Sequence, residues 1–278
     1  MKDALSIKEF SKLSGIEVTT LRYWDDIGLF SPERRDPNND YRYYSPWQII
    51  AVNFVTVLRN LGIPLKMIRE IEKTRSPENI MDLIEHQEHL LDKEIRRLLE
   101  AHSVIRTRRE LIRLGQGADA TQITVVKQPE RAIILGPPNE EHREPGSFFA
   151  SFIHFCNCAD ELHINLDYPI GGRHESAERF FACPSEPDYF FSLDPHGTAV
   201  RAAGLYLTAY AYGHYGVFND LPERMAAYSD ENDLVCEGPV YVTYLYDEVS
   251  MKDPAQYLSQ ICIAVSRKAE DQATTAKK

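Results

Sequence analysis

The stretch "TTLRYWDDIGLFSPERRDPNNDYRYY", residues 19–44, sets arginine and aromatic residues close together around a turn rich in Pro, Asp and Asn. It opens with a predicted helix that begins at Thr19 or Thr20 and ends at Gly28. The inner stripe of that helix consists of three apolar residues, Leu21, Trp24 and Ile27. The stretch is too short to bury all of its cationic and aromatic side chains, which leaves several of them facing outward.

A shorter helix precedes this one. Ser6 is placed to cap it and Ser14-Gly15 ends it, so that two short helices are joined by a Gly-containing turn. This is the helix-turn-helix pattern. From residue 31 to residue 44, prolines and the segment "DPNND" predict a turn between two short extended arms, a wing. Two further helices follow, one opened by Ser45-Pro46 and one from Leu65 to Lys73.

A long helix is predicted next, because residues 77–113 contain no Gly and no Pro after Pro77. Apolar residues recur every seven positions along it: Ile84, Leu91, Leu98, Ile105 and Ile112. The positions three residues before each of these hold both apolar and polar residues: Met81, Glu88, Ile95, His102 and Arg109. One regular seam and one imperfect seam predict a short dimeric coiled coil that also contacts something else. The alternative is a long helix on the surface of its own domain.

The net charge of −11 is distributed unevenly along the chain. Residues 1–75 hold 12 Lys and Arg against 10 Asp and Glu, whereas residues 118–278 hold 12 against 24. The C-terminal part therefore repels phosphate and suits a cationic ligand, although acidity of this kind also serves solubility alone.

The C-terminal part begins after a polar, Gly-bearing linker, residues 115–122. Its predicted elements are strands near residues 123–135, 189–193, 204–212, 240–246 and 261–265, with helices at 148–164 and 221–228. A strand-helix-strand-strand order occurs twice, from about residue 123 and from about residue 204, which indicates an internal duplication. The predicted fold class is α+β, with a winged helix-turn-helix over residues 1–75, a coiled-coil helix at 76–114, a domain of strands and helices at 123–267 and a disordered tail at 268–278.

Candidate ligand-binding residues begin with the strand "GLYLTAYAY", residues 204–212. Strand alternation puts Tyr206, Thr208, Tyr210 and Tyr212 on one face and aliphatic residues on the other. We expect the aliphatic face to pack under helices and the tyrosine face to line a cavity, where aromatic rings attract lipophilic cations. Further candidates for this lining are Phe148, Phe149, Phe152, Tyr168, Tyr189, Phe191, Tyr241, Tyr244 and Tyr257. The alternative is that the tyrosine stripe belongs to an ordinary core.

Several classes of function are not favoured. The five cysteines show no zinc-type CxxC spacing and no disulfide framework, so no metal and no cofactor is expected. No run of about 18 apolar residues predicts a membrane span, and the N-terminal sequence does not read as a signal peptide, so a cytoplasmic location is expected.

Residues 5–75 resemble the DNA-binding domain of the MerR family of bacterial transcription regulators. The resemblance rests on helix-turn-helix spacing, "LRYW", the "GLFSP" exit and the "YRYY" wing, in that order. It implies a homodimer on pseudo-palindromic double-stranded promoter DNA, whose distorted spacer is aligned for RNA polymerase. The expected DNA-binding residues are Lys12, Thr19, Thr20, Arg22, Tyr23, Arg34, Tyr41, Arg42, Tyr43, Arg59 and Lys66. Arg42 is expected to reach backbone and minor groove by analogy with the family, and Lys12, Arg59 and Lys66 are assigned by family position alone.

Residues 123–267 resemble GyrI-like ligand-binding domains, which implies a lipophilic and cationic small-molecule effector. Cation-binding relatives carry a glutamate in the strand that follows "GP", and here Val242 occupies that place. Asp160, Glu161, Asp247 or Glu248 could replace it, and the sequence does not choose among them.

Two alternatives stay open for the second part of the chain. One is a thiol or metal sensor that uses Cys156, Cys158 and Cys183. The other is a small-molecule hydrolase, not otherwise expected, whose candidate side chains are the histidines 154, 163, 174, 196 and 214 together with Ser192 or Cys183.

Overall fold

The computed structural model describes residues 4–139 and 148–267, and the chain divides into two compact units, Met1–Leu98 and Leu99–Lys278. Helices dominate the N-terminal unit and an antiparallel sheet with helices forms the C-terminal unit, so the predicted α+β class is confirmed. The predicted disordered tail, residues 268–278, lies outside the described residues. Among those described, no helix is both long enough and apolar enough to cross a bilayer.

The N-terminal unit contains the predicted helix-turn-helix and wing. Its elements are β1 (Leu5–Ser6), α1 (Ile7–Ser14), α2 (Val18–Asp26), β2 (Arg34–Arg35), β3 (Arg42–Tyr44), α3 (Gln48–Asn60), α4 (Leu65–Lys73) and the first part of α5 (Pro77–Gln116). A capping box starts α1: the Ser6 hydroxyl accepts from the Glu9 amide, and the Glu9 carboxylate accepts from the Ser6 amide. Gly15 ends the helix in a left-handed conformation with φ 73°, which glycine adopts at little cost.

The core of the N-terminal unit is aromatic where the wing meets the helices. The rings of Phe10 and Tyr44 stack with centroids 4.5 Å apart, and Phe30 lies 6.0 Å from Tyr44. Leu21 and Trp24 are buried, which confirms the inner stripe predicted for α2. Strand β3 of the wing pairs with β2 on one side and with β1 on the other, and β1 contains Ser6, the residue that caps α1. The wing and the helices therefore form one body.

Helix α5 is 40 residues long and ends at Gln116, so its last two residues lie in the segment predicted as a linker, residues 115–122. The five residues of the regular seam, Ile84, Leu91, Leu98, Ile105 and Ile112, are between 37% and 64% exposed. Leu83 is buried in the core of the N-terminal unit, and Leu111 is buried in a core cluster of the C-terminal unit. The seam is therefore left uncovered by the described residues, while other faces of the same helix pack within each unit.

The C-terminal unit is built on one eight-stranded antiparallel sheet. Its elements after α5 are β4 (Thr124–Gln128), β5 (Arg131–Pro138), α6 (Phe148–Asn157), β6 (Ile170–His174), α7 (Ala177–Ala182), β7 (Tyr189–Ser192), β8 (Ala199–Arg201), β9 (Gly204–Tyr212), α8 (Leu221–Glu231), β10 (Leu234–Tyr246) and β11 (Leu258–Arg267). The predicted helix at 148–164 was too long, because turns follow residue 157 and His163 has a positive φ of 53°. Strands β6 and β8 and helix α7 were not predicted.

The internal duplication is visible in the strand order, β4-β9-β11-β10-β6-β7-β5-β8. Read outward from the middle of the sheet, the strands of the repeat β5-α6-β6-β7 lie in the order β6, β7, β5. The strands of the repeat β9-α8-β10-β11 lie in the corresponding order β10, β11, β9 on the other side of the middle. The two repeats join through their second strands, where Val242 lies opposite Gly172. The two predicted strand-helix-strand-strand repeats are therefore confirmed, with α7 as an addition to the first.

Each repeat is preceded by a leader strand that pairs with the other repeat. β4 pairs with β9, and β8 pairs with β5. Only two residues separate β4 from β5, and two separate β8 from β9, although the linked strands stand far apart in the sheet order. Because two residues span less than about 11 Å, the sheet has to curl until its two ends approach each other.

The two faces of the sheet carry different clusters. On one face Leu207, Ala209 and Ala211 pack with Leu221 and Met225 of α8, as predicted for the aliphatic side of the strand at 204–212. The opposite face carries a second cluster in which Tyr206, Tyr241 and Cys262 meet Leu111 of α5. The tyrosine side of the sheet is therefore part of a core that the last turns of α5 help to cover.

Candidate functional site

Helix α2 presents a polar face to solvent. Arg22 is exposed, Tyr23 is 54% exposed, Thr19 is exposed and Thr20 is half-buried. Thr19, Arg22 and Tyr23 lie away from the buried stripe, near the N-terminal end that enters the major groove in helix-turn-helix proteins, whereas Thr20 lies one turn before Trp24 and borders the stripe. Three of the four predicted α2 contacts therefore share one accessible face.

The wing is held by an ion-pair cluster around Asp25. Oδ2 of Asp25 accepts from Nη2 of Arg35 and from Nε of Arg42, each at 2.5 Å, and only 4% of the Asp25 side chain is exposed. Arg42 also reaches Asp26 at 3.2 Å, and Arg35 reaches Asp40 at 2.7 Å. Arg42 was expected, by analogy with the family, to reach the DNA backbone and minor groove; in the structure its side chain is 18% exposed and is engaged by these carboxylates. Its guanidinium therefore fastens the wing to α2.

The remaining wing residues are more accessible. The guanidinium carbon of Arg34 lies 4.9 Å from the ring centroid of Tyr43, and the rings of Tyr41 and Tyr43 are 5.4 Å apart. Tyr41 is 40% exposed and Tyr43 is half-buried. A cation above one ring of this neighbouring pair presents charge and a hydroxyl together at the wing.

Three basic residues assigned by family position lie on other elements of the N-terminal unit. Lys12 on α1, Arg59 on α3 and Lys66 on α4 are all exposed, and the guanidinium of Arg59 lies 5.5 Å from the Trp24 ring. Arg69 was not predicted; its Nη1 donates to the carbonyl oxygen of Ile27 at 2.9 Å and so anchors α4 to the end of α2.

The C-terminal unit contains a cavity of about 220 Å³ between α6, the β6–β7 region and the end of β10. The residues around it are Arg108, Phe148, Phe149, Phe152, Cys156, Leu166, Tyr168, Pro169, Ile170, Phe190, Tyr215, Tyr244, Asp247 and Glu248. Its wall is mainly aromatic, and its polar groups are concentrated at one end.

The aromatic wall is a continuous network of rings. Phe148 stacks on Tyr215 with centroids 6.0 Å apart, and Tyr215 meets Tyr244 edge-on at 4.6 Å. Phe148 also meets Phe190 edge-on at 5.3 Å. Burial raises the pKa of Tyr244 well above its usual value, so its hydroxyl stays protonated and neutral. Faces and edges of this kind suit a flat or cationic ligand.

Two carboxylates stand at the polar end. Asp247 Oδ2 accepts from Nη1 of Arg108 at 2.9 Å, and Nη2 of Arg108 donates to the carbonyl oxygen of Asp167 at 2.9 Å. The Tyr215 hydroxyl donates to the Glu248 carboxylate. Burial, together with this bond, raises the pKa of Tyr215 far above its ordinary value, so that Tyr215 remains the donor. Asp247 is therefore charge-paired, whereas the described residues give Glu248 a hydrogen bond but no ion pair.

Five predicted ligand residues line this cavity: Phe148, Phe149, Phe152, Tyr168 and Tyr244. The structure does not bring the other predicted residues to it. Tyr206, Thr208, Tyr210 and Tyr241 lie on the opposite face of the sheet, where the Tyr206 hydroxyl donates to the Ala202 carbonyl and Gln260 Nε2 donates to the Tyr210 hydroxyl. Tyr189 bonds to Glu175, and Tyr257 packs 5.3 Å behind Tyr215 as a second layer.

Sequence reasoning missed Tyr215 and did not choose between the acids. Asp247 and Glu248 follow directly after the last residue of β10, at the edge where Tyr244 faces the cavity. That position after a strand was the available signal for them. Val242, where a glutamate was expected, is 1% exposed and packed in an aliphatic cluster.

The residues of the two alternative functions are scattered. Cys156 lines the cavity, Cys183 is exposed at the end of α7, and Cys158 lies 3.9 Å from Nε2 of His154. Burial raises the pKa of the Cys156 and Cys183 thiols, which disfavours the reactive thiolate. Over residues 4–139 and 148–267, no group of three His, Cys, Asp or Glu side chains is arranged to hold a metal ion.

Comparison with known proteins gives matches to both parts of the chain. Residues 5–74 match the family model described as MerR HTH family regulatory protein. The multidrug-efflux transporter 2 regulator of Bacillus subtilis is 28% identical over 259 residues, covering 90% of this chain and 92% of that protein. The transcriptional regulator BrlR of Pseudomonas aeruginosa is 34% identical over 94 residues, 33% of this chain and 35% of that protein. The multidrug-efflux transporter 1 regulator of Bacillus subtilis is 33% identical over 88 residues, 32% of each chain.

A helix-turn-helix with an exposed polar face on its second helix and a cationic wing defines a DNA-binding regulator. The arrangement, spacing and length of this domain agree with the family match over residues 5–74. Residues 5–74 therefore form a MerR-type helix-turn-helix domain, and 90% of the chain is similar to a multidrug-efflux transporter regulator.

Proposed function

We propose that this chain is a ligand-responsive activator that binds a pseudo-palindromic promoter as a homodimer and acts on RNA polymerase there. Its effector is a lipophilic cation that occupies the cavity of the C-terminal unit. Two relatives whose names describe them as multidrug-efflux transporter regulators support this choice of effector, and one of them aligns with 90% of the chain.

DNA binding is assigned to the exposed face of α2 and to the wing. Arg22 and Tyr23 are the residues with which α2 reads bases or holds phosphate, and Arg34 with Tyr41 forms the outer contact of the wing. Arg42 has a supporting role, because its guanidinium is committed to Asp25 and Asp26. One unit with few basic residues binds weakly, so two copies on symmetric half-sites are needed.

Dimerisation is assigned to the apolar seam of α5. Leu91 and Leu98 are 46% and 52% exposed and lie seven residues apart, as in the seam of a coiled coil. Burial of a leucine side chain contributes about 1.5–3 kcal/mol, so a seam of five such residues in each of two copies offers ample stabilisation for a dimer.

The charge of the cavity supports a cationic ligand. Arg108, Asp247 and Glu248 together carry a formal charge of −1 at neutral pH, with Asp247 already paired to Arg108. Glu248 is the group left to balance a positive ligand, and the rings of Tyr215 and Phe148 supply faces against which a cation packs. The Glu248 carboxylate, which has no ion pair among the described residues and lies beside stacked rings, is the observation that carries this proposal.

Arg108 connects the cavity to the dimerisation helix. It belongs to α5, and its only ion pair among the described residues is with Asp247. A cation that attracts Asp247 competes with Arg108 and weakens this link between the end of β10 and α5. A ligand that binds better when the link is open shifts a pre-existing two-state equilibrium toward the activating form.

The test is a Glu248→Gln variant with two ligands of similar shape, tetraphenylphosphonium and the neutral triphenylphosphine oxide. A full charge at about 5 Å contributes about 1–3 kcal/mol, and the lower end applies because Glu248 is exposed. Calorimetry should show cation affinity falling about five- to tenfold while affinity for the neutral ligand changes little. Glu223→Gln on α8 is the matched control, an exposed carboxylate away from the cavity. Equal cation affinity in wild type and Glu248→Gln would refute the charge assignment.

A further inference from the structure

Two arginines lie side by side in the C-terminal unit, outside the cavity. Arg131 in β5 and Arg201 in β8 are direct partners in an antiparallel register, which places both side chains on the same face of the sheet. Ile133, two residues further along β5, points to the same face of the sheet. Both arginines therefore lie on the face that carries the core cluster containing the tyrosines. Arg201 is 6% exposed, whereas Arg131 is half-buried and gives the pair access to solvent.

Neither guanidinium is compensated by the residues that the structure describes. No side-chain hydrogen bond or ion pair joins the guanidinium group of Arg131 or Arg201 to any of these residues, and Nε of Arg201 is fully enclosed without a partner. The contact that Arg201 does make is with the ring of Tyr206, whose centroid lies 5.5 Å from its guanidinium carbon. A ring face holds the plane of the guanidinium but does not satisfy its N–H groups.

The attraction between Glu110 and Arg131 does not compensate this charge. Glu110 on α5 attracts Arg131 from beyond ion-pair distance; its side chain is 56% exposed, and its contact with Arg106 is a long one of 3.8 Å. Burial, and then repulsion from Arg201, lowers the pKa of Arg131. Burying an unpaired charge is strongly unfavourable, and two like charges on neighbouring strands add to that cost.

We propose that Arg131 and Arg201 together bind a small oxyanion, either phosphate or a carboxylate group. Guanidinium groups donate two parallel N–H bonds to the oxygens of such anions, and a pair on one sheet face supplies four or more donors. This site takes the opposite charge from the cavity, whose net charge is negative, and the two share no residue. The protein therefore has an anionic ligand in addition to the proposed cationic effector.

The experiment titrates the full chain with inorganic phosphate while potassium chloride keeps the ionic strength constant, and a parallel series uses acetate. Thermal unfolding and calorimetry report binding. Phosphate or acetate should raise the Tm of wild type, since a ligand that binds only the folded state stabilises it. Arg131→Gln should weaken calorimetric binding about tenfold or more. The anion that acts at the lower concentration shows whether the site prefers a phosphate or a carboxylate group.

Arg173→Gln is the matched control, because Arg173 lies in the same sheet with its guanidinium 5.1 Å from the ring of Tyr189. It should respond to phosphate as wild type does. In buffer without either anion, Arg131→Gln should melt at or above the wild-type Tm, because it removes one of two repelling charges. If Arg131 served only to stabilise the fold, Arg131→Gln would have a lower Tm than wild type both with and without the anions. The proposal is overturned if neither anion raises the wild-type Tm beyond the chloride control, or if Arg131→Gln responds like Arg173→Gln.

Discussion

Replacing Asp25 by Asn tests whether the wing is held by its ion-pair cluster. The carboxylate accepts two guanidinium bonds at 2.5 Å and is 4% exposed, while Arg42 is 18% and Arg35 is 39% exposed. Removing one partner of a buried ion pair costs about 3–5 kcal/mol. Asn keeps one acceptor oxygen and Arg35 is partly screened by solvent, so we expect Asp25→Asn to lower the free energy of unfolding by about 2–3 kcal/mol.

The N-terminal unit can be observed separately, because both tryptophans of the chain, Trp24 and Trp47, belong to it. Trp24 is 1% exposed and packed in the core. Urea unfolding followed by tryptophan fluorescence therefore reports this unit. Asp26→Asn is the matched control: it removes the same charge one residue away, but Asp26 is 66% exposed and bonds Arg42 at 3.2 Å. Its effect on stability should stay below about 1 kcal/mol.

DNA binding separates the structural effect from simple electrostatics. Both substitutions remove a negative charge close to the proposed DNA-binding face, which by itself strengthens attraction to phosphate. Asp26→Asn should therefore bind promoter DNA as well as wild type or better in a gel-shift assay. Asp25→Asn should bind more weakly, since the wing is no longer fixed to α2. If Asp25→Asn unfolds at the wild-type urea concentration, or if both variants gain affinity equally, the wing is not held in this way.

Three further changes test other parts of the structure. Leu98→Glu places a charge in the exposed seam of α5, and sedimentation should then show the mass of a single chain. Burial lowers the pKa of His174 from 6.5 to about 4, so as the pH falls the unfolded chain binds this proton before the folded chain does. The free energy of unfolding should therefore drop by roughly 3 kcal/mol between pH 6.5 and 4. Unfolding followed by circular dichroism should show that His174→Gln lacks this drop. Gly197→Ala puts a Cβ 2.1 Å from a carbonyl oxygen of β5 and should cost about 1–3 kcal/mol, whereas Gly204→Ala meets its nearest atom at 3.8 Å and should unfold like wild type.

The N-terminal unit could be predicted in detail because its signals are local. The cap at Ser6, the left-handed Gly15 and the apolar spacing of α2 each act over a few residues, and each is found where expected within two positions. The partners of Arg42 were not predictable in the same way. Asp25 lies 17 positions away in the sequence, and only the folded wing brings the two together.

The C-terminal unit shows the limit of reasoning from alternation. The pattern at 204–212 correctly divided the strand into an aliphatic and a tyrosine face, and it placed the aliphatic face under helices. It could not reveal that α5 would help to cover the tyrosine face, because Leu111 comes from a distant element. The cavity formed instead beside α6, where the predicted phenylalanines Phe148, Phe149 and Phe152 do lie.

The pairing of β4 with β9 and of β8 with β5 makes each half of the C-terminal unit depend on the other for its final strand. A chain cut between β7 and β8 would yield two fragments with open sheet edges, neither of which is complete alone. The fragments are complementary, since each carries the strand that closes the other. Co-expression of the two fragments should therefore reconstitute the unit where separate expression gives aggregates, which would provide a split reporter whose reassembly depends on exchanged strands.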